Sequence, residues 1–157
     1  MVVGSAPISG TVLNFIRCAV GCLVLEGYGQ TECCAPVTLT VPGDYRADHV
    51  GPPIACCCVK LADVPEMEYF AANHQGEVCV KGTNVFQGYF KNPVLTEEVK
   101  DAQGWHHTGD IGMWLPVSYN QIKGLSYPSL IACSSACLLM ASRTYRFVWE
   151  RSVQCQY

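Results

Sequence analysis

The chain has 157 residues, half of them hydrophobic and 15% charged, with a formal net charge of −3. That length is about one domain's worth, and the composition is that of a globular chain rather than a disordered one. No long run of one charge sign occurs, which argues against a basic nucleic-acid surface.

Met1 to Pro7 lacks the basic region and following apolar stretch of a secretory signal. The eleven cysteines are therefore read as thiols in a reducing compartment, most of them small apolar fillers. Ile8 to Val20 predicts a helix, with Val12, Phe15, Ile16 and Ala19 on one face and Ser9 as its cap. Cys22-Leu23-Val24-Leu25, between that helix and a glycine-rich turn, reads as a buried parallel strand. Further strands are predicted at Val37–Val41, Cys57–Leu61 and Glu77–Lys81, the last preceded by the turn residues Asn73 to Gly76. Several short strands with Gly/Pro punctuation suggest a small barrel-like unit. Thr96 to Ala102 reads as a short helix capped by Thr96, and Gly104 to Leu115 as extended chain.

Cys56, Cys57 and Cys58 would alternate between faces in a strand and cannot chelate as a unit. Cys18 and Cys22, like Cys133 and Cys137, lie one helical turn apart, but no neighbouring His or Cys pair completes a tetrahedral zinc site. After Pro116 the composition shifts toward Ser, Cys, Leu and Tyr. Gly124 to Ser142 carries no charge and reaches the lower length limit of a bilayer span, but its serines, Tyr127 and Pro128 make it a poor one. A partly buried or poorly ordered tail is expected there instead.

Tyr28-Gly29-Gln30-Thr31-Glu32 carries the chemistry. Gly27 and Gly29 let backbone approach a base or a phosphate closely. The aromatic ring between them can stack on adenine, Thr31 can donate to a phosphate oxygen, and Glu32 is a hard ligand for Mg²⁺. Taken alone, the pentapeptide is equally well a glycine-rich turn with a solvated glutamate.

Further segments follow it in order: Gly76-Glu77-Val78-Cys79-Val80-Lys81-Gly82, Gly88-Tyr89, Gly104-Trp105 and His107-Thr108-Gly109-Asp110. This succession resembles the adenylate-forming, AMP-binding superfamily. The wording GEVCVKGTNVFQGYFKNP and GWHHTGDIGMWLP, with VPGD and HVGPP upstream, is similar to the long-chain fatty acyl-CoA synthetases. The resemblance covers Gly4 to Pro116. It implies an α/β plus β fold: residues 1–35 ending an α/β subdomain, 36–116 a small distorted β-barrel subdomain, and 117–157 a divergent, poorly ordered tail.

The resemblance also implies roles. Gly4, Ser5, Ala6 and Pro7 would border the adenine, with Gly27, Gly29 and Gln30 beside it. Tyr28 would stack on the base, and Asp110 would accept hydrogen bonds from the ribose hydroxyls. Thr31 would contact the α-phosphate and Glu32 would hold Mg²⁺, the two forming the catalytic pair. Without the other motifs, Asp110 would read as a turn aspartate after Gly109. His106 and His107 would point to opposite faces of a strand. The first of these positions is commonly apolar in the family, so His106 reads as a local substitution. Neither histidine is read as a general base, because a carboxylate is already the nucleophile. Trp105, Trp114, Tyr89 and Phe86 read as packing.

The implied activity is that of a long-chain fatty acid–CoA ligase, using ATP, a long-chain fatty acid and coenzyme A and passing through an acyl-adenylate. A phosphate loop with its lysine, and the lysine of a mobile C-terminal domain, are expected outside these 157 residues. The chain alone is therefore expected to be inactive in ATP–pyrophosphate exchange. The family further implies the cytosolic face of the endoplasmic reticulum or mitochondrial outer membrane for the parent enzyme, and a cytoplasmic place for this chain alone. Two alternatives stand beside this: a non-catalytic truncated form that binds nucleotide weakly or pairs with the full-length enzyme, and a tail-anchored membrane protein using Gly124 to Ser142.

Overall fold

A computed structural model describes residues 1–116 and 145–150. In chain order the elements are β1 (Val2–Val3), α1 (Gly10–Val20), β2 (Leu25–Gln30), β3 (Ala35–Leu39), β4 (Cys57–Ala62), β5 (Gln75–Gly82), α2 (Pro93–Val99), β6 (His106–Pro116) and β7 (Tyr145–Glu150). The strands form two sheets, ordered β1-β2-β3 and β4-β5-β6-β7.

Ser9 caps α1 as expected, its side chain accepting from the Val12 N–H. Gly21, at φ 61°, ends the helix in the left-handed conformation that glycine adopts without steric cost. The apolar face predicted from spacing is not the buried one. Leu13 is fully buried, whereas Val12 and Phe15 are exposed. Arg17 reaches back to the Tyr45 carbonyl at 2.8 Å and fixes the helix on that side.

The strand expected at Cys22 to Leu25 begins three residues later and runs through Tyr28-Gly29-Gln30. Glycine disfavours strands, but here it is required by close approach. A Cβ on Gly29 would sit 1.5 Å from the Ala35 carbonyl oxygen. β2 pairs parallel with β1 and antiparallel with β3, with a bulge between Tyr28 and Gly29. The strand is parallel as expected, but only to a two-residue neighbour, Val2–Val3.

β3, β4 and β5 fall where strands were predicted, within two residues at each end. The second helix starts earlier than expected. Asn92 caps it by accepting from the Leu95 N–H, and Pro93 takes the first turn, where its missing N–H costs nothing. Thr96 instead lies within the helix, its hydroxyl accepting from the Tyr89 N–H. In the second sheet the ladder is antiparallel and, among the described residues, β7 does not pair back to β4. Tyr145–Glu150, placed by the sequence in a poorly ordered tail, pairs with β6 from Ile111 to Pro116. The run Tyr-Arg-Phe-Val-Trp-Glu is rich in strand-forming types. The uncharged segment 124–142 and the pair Cys133/Cys137 lie outside the described residues; among those described, no helix is long and apolar enough to cross a membrane.

One buried cluster joins the two sheets. Tyr28 and Val37 from the first, with Cys33 from the turn between β2 and β3, meet Val59, Leu61, Val78, Val80 and Trp114 from the second. Residues 59/61 and 78/80 face this cluster at the period of two that strands impose, while Cys79 is buried on the other face of β5. The cysteines divide between roles: Cys33 and Cys79 are buried, while Cys18, Cys22, Cys34 and Cys56 are exposed and so are not the fillers expected. Burial pushes the Cys33 and Cys79 thiols up to about 12 and that of Cys57 up to about 11, which leaves them protonated near neutral pH.

Candidate active site

The site forms where the end of β2 meets the middle of β6. Bonding to β1 sets Gly4 against the backbone of Gly27, where a Cβ would lie 2.9 Å from the Gly27 carbonyl oxygen. The exposed segment Gly4 to Pro7 therefore leaves the carboxyl end of β1 directly beside the Tyr28 strand, with Ser5 at φ 74°. Carboxyl ends of parallel strands are where open α/β sheets bind ligands.

Past Gln30 the chain makes one 3₁₀ turn, Thr31–Cys33, before β3. This turn presents Thr31 to solvent and holds Glu32 half-buried. Cys34 and Ala35 follow with φ of 52° and 79°, a left-handed pair that non-glycine residues seldom adopt. The turn is clamped from outside. Asn84 donates to the Cys33 carbonyl at 3.0 Å, and the Phe86 N–H donates to the Glu32 carbonyl at 2.7 Å. The Glu32 carboxylate accepts from the Tyr89 hydroxyl on Oε1 at 2.8 Å. Tyr89, read from the sequence as packing, does pack edge-on against Phe86 at 4.9 Å, and its hydroxyl also orients the glutamate.

Asp110 arrives from 82 residues away. Its Oδ2 accepts from the Tyr28 hydroxyl and from the Gln30 amide, each at 2.8 Å. The same amide donates to the Thr108 carbonyl at 2.9 Å. Oδ1 takes no hydrogen bond among the described residues, and the side chain is part-exposed. Tyr28 itself is only 4% exposed and lies in the core cluster. In this conformation it offers a base almost no free ring face, and its contribution is the hydrogen bond to Asp110. Burial is the chief reason its phenol is held above the ordinary tyrosine range, with the Asp110 charge adding to it.

The structure thus brings Tyr28, Gln30 and Asp110 into one hydrogen-bonded group, sets Thr31 and Glu32 on the adjoining turn, and lays Gly4 against Gly27 at its edge. His106 is the member that sequence reasoning missed. It is 2% exposed, its Nε2 lies 3.2 Å from the Gln30 side-chain Oε1, and its ring meets Phe86 edge-on at 5.5 Å. No spacing signal could have shown this, because its partner lies 76 residues away. His107 points to the other face of β6, as strand geometry requires.

Burial holds the His106 imidazole below the ordinary histidine range. The unfolded chain then binds more protons than the folded one as pH falls through about 6.5, so stability drops with acid. His106→Leu is expected to flatten this dependence. Unfolding midpoints measured between pH 7.5 and 5 should fall more steeply in the wild type than in the variant, and parallel curves would rule out a buried neutral His106.

Residues 1–90 match the family of AMP-binding enzymes. The chain belongs to that family. Over 116 residues it is 62% identical to the human "Long-chain-fatty-acid--CoA ligase 1", an alignment covering 74% of this chain and 17% of the relative. The chain therefore spans about one sixth of the length of such relatives. Among solved structures, the adenylation domain of a carboxylic acid reductase from Segniliparus rugosus, in complex with AMP and a co-purified carboxylic acid, is 35% identical. It matches with a TM-score of 0.56 over 71% of this chain and 17% of its own. ATP-bound MatB from Rhodopseudomonas palustris is 28% identical, with a TM-score of 0.61 over 76% of this chain and 23% of its own.

Proposed function

We propose that this chain carries the adenylate-binding part of a ligase that activates long-chain fatty acids with ATP and transfers them to coenzyme A. The observation that carries the reading is the convergence of Asp110 with Tyr28 and Gln30 beside the Thr31–Glu32 turn. A carboxylate with one oxygen fixed by two donors and the other open is poised to accept hydrogen bonds from a ribose diol. The high similarity to long-chain fatty acid–CoA ligases supports the choice of acid and of coenzyme A as substrates. Residues 1–35 would end the α/β subdomain, and 36–116 would form the barrel-like one. The parent enzyme would work at the cytosolic face of the endoplasmic reticulum or mitochondrial outer membrane.

In this reading the Gly4–Pro7 backbone flanks the adenine, and Asp110 fixes the ribose. The exposed Thr31 hydroxyl donates to the α-phosphate, where negative charge builds as the fatty carboxylate attacks and pyrophosphate leaves. The second step passes the acyl group to the thiol of coenzyme A with release of AMP. Glu32 suits Mg²⁺: it is half-exposed, one oxygen is held by Tyr89, and Oε2 accepts nothing among the described residues. The bound ion would neutralise phosphate charge.

The test is nucleotide titration by calorimetry on the purified 157-residue protein. AMP should bind without metal, and ATP should bind more tightly when Mg²⁺ is present. Glu32→Gln should abolish the Mg²⁺ gain while leaving AMP affinity within about threefold, since a single exposed contact contributes little. Absence of AMP binding, or a Mg²⁺ gain undiminished in the variant, would sink the assignment.

A further inference from the structure

The opposite face of β6 from the nucleotide site carries a second constellation. Cys79 and His107 are register partners across β5 and β6, and a bulge between Glu77 and Cys79 brings Glu77 onto the same neighbour. Bulges commonly re-aim a side chain in this way. The Cys79 sulfur lies 3.5 Å from the His107 Nδ1, and the Glu77 Oε2 lies 2.8 Å from the same nitrogen. One ligand atom from each residue falls within 4.8 Å of the other two.

From this geometry we propose that Glu77, Cys79 and His107 form a binding site for a thiolate-preferring divalent cation of the zinc class. A tetrahedral ion with bonds of roughly 2.3 Å to sulfur and 2.0–2.1 Å to nitrogen sets those two ligands about 3.5 Å apart. That is the separation found. The Glu77–His107 hydrogen bond is shorter than such an edge and opens by a few tenths of an ångström as the ion enters. Three protein ligands leave the fourth position to water, and Glu77 and His107 are each partly exposed, which gives the ion a way in from solvent.

The surrounding groups orient the ligands as outer-shell partners do in metal sites. The Gly109 N–H donates to Glu77 Oε1 at 3.0 Å and leaves Oε2 facing His107. Asp101 Oδ2 lies 3.8 Å from the His107 Nε2, the side away from the sulfur. With no ion bound, the His107 Nδ1–H donates to the Glu77 carboxylate. Binding moves that proton through solvent to Nε2, where Asp101 faces it, and frees the Nδ1 lone pair for the ion. Lys60 is engaged elsewhere, 3.5 Å from Asp101 and 4.6 Å from the Trp105 ring centroid. On binding, the Cys79 S–H bond breaks, its proton passes to solvent, and the sulfur electron pair takes the metal. No electron transfer is involved.

The test uses Co²⁺ as a spectroscopic probe on the reduced 157-residue protein. One equivalent is expected to give a thiolate-to-cobalt charge-transfer band that one equivalent of Zn²⁺ removes. Cys79→Ser should abolish the band. Asp101→Asn, which touches no ion, should weaken cobalt affinity 10- to 100-fold as an outer-shell change does, and His107→Gln should weaken it at least as much. Ten other reduced thiols are present, so a band of undiminished intensity in Cys79→Ser means adventitious thiol binding only and overturns the site. So does the absence of a band in the wild type. If Cys79→Ser does not fold, the other two variants decide, and unchanged affinity in both overturns the proposal.

Discussion

Asp110→Ala should raise the Kd for AMP about 100-fold, the equivalent of losing one or two charge-assisted hydrogen bonds at roughly 1.5–3 kcal/mol each. Two effects contribute, and they can be separated. The ribose loses its acceptor, and the Tyr28 hydroxyl and Gln30 amide lose theirs within a part-buried site. An orphaned donor costs about 1–3 kcal/mol, so the variant should also unfold several degrees lower. Tyr28→Phe separates the two. It removes one of the donors and keeps the carboxylate, so AMP affinity should stay within about threefold while stability falls by about 1 kcal/mol. If Tyr28→Phe weakens AMP as much as Asp110→Ala does, the phenol and not the carboxylate is the recognising group. Calorimetric titration at a temperature where all three proteins are folded decides the matter.

Gly29→Ala should be severely destabilising. Its Cβ would lie 1.5 Å from the Ala35 oxygen, 2.6 Å from the Ala35 carbonyl carbon and 3.0 Å from the Pro36 Cα, all backbone atoms that cannot rotate aside. The hairpin would have to open at the bulge beside the Thr31–Glu32 turn. A cost of roughly 3 kcal/mol or more is expected, at the top of the range for overpacking and large beside a domain stability of about 5–15 kcal/mol. Gly21→Ala is the control, because nothing lies within 4 Å of its Cβ and only its left-handed φ of 61° opposes the methyl. It should cost about 1–2 kcal/mol. Thermal unfolding of the two variants should differ by several degrees in that order, and equal midpoints would mean that the close approach at Gly29 does not constrain the fold.

Local patterns announced most of the fold and left the joining of its parts unreadable. Ser9 before an apolar run, and alternation at 59/61 and 78/80, are signals written within a few residues, and the structure follows them. The α1 face was misjudged because 3.6-residue spacing reports which residues align, not which side meets a neighbour: Leu13 is buried where Val12 and Phe15 were expected. β2 was placed too early because glycine lowers strand propensity, and only the proximity of Ala35 explains why glycine is needed at position 29. At the site, motif order pointed to Thr31, Glu32 and Asp110. Nothing local indicated that Gln30 would bridge Asp110 to His106, or that Tyr28 would turn its ring into the core. The Glu77–Cys79–His107 group escaped for the same reason. Its ligands lie across a strand pair, where spacing along the sequence does not show them.

The separation of 80 residues between Gln30 and Asp110 bears on the order in which the chain folds. The β2–β3 hairpin closes across five residues, Gln30 to Ala35, whereas the contact with Asp110 closes a loop sixteen times longer. At about 0.6 kcal/mol for each doubling of loop length, that is an entropic difference of roughly 2.4 kcal/mol, and contacts of this kind form late. The Thr31–Glu32 turn should therefore be in place before the aspartate docks, and nucleotide affinity should be acquired in the last kinetic phase of refolding. A nucleotide held by both parts would act as a clasp on that closure, slowing the departure of β6 more than the fraying of the hairpin.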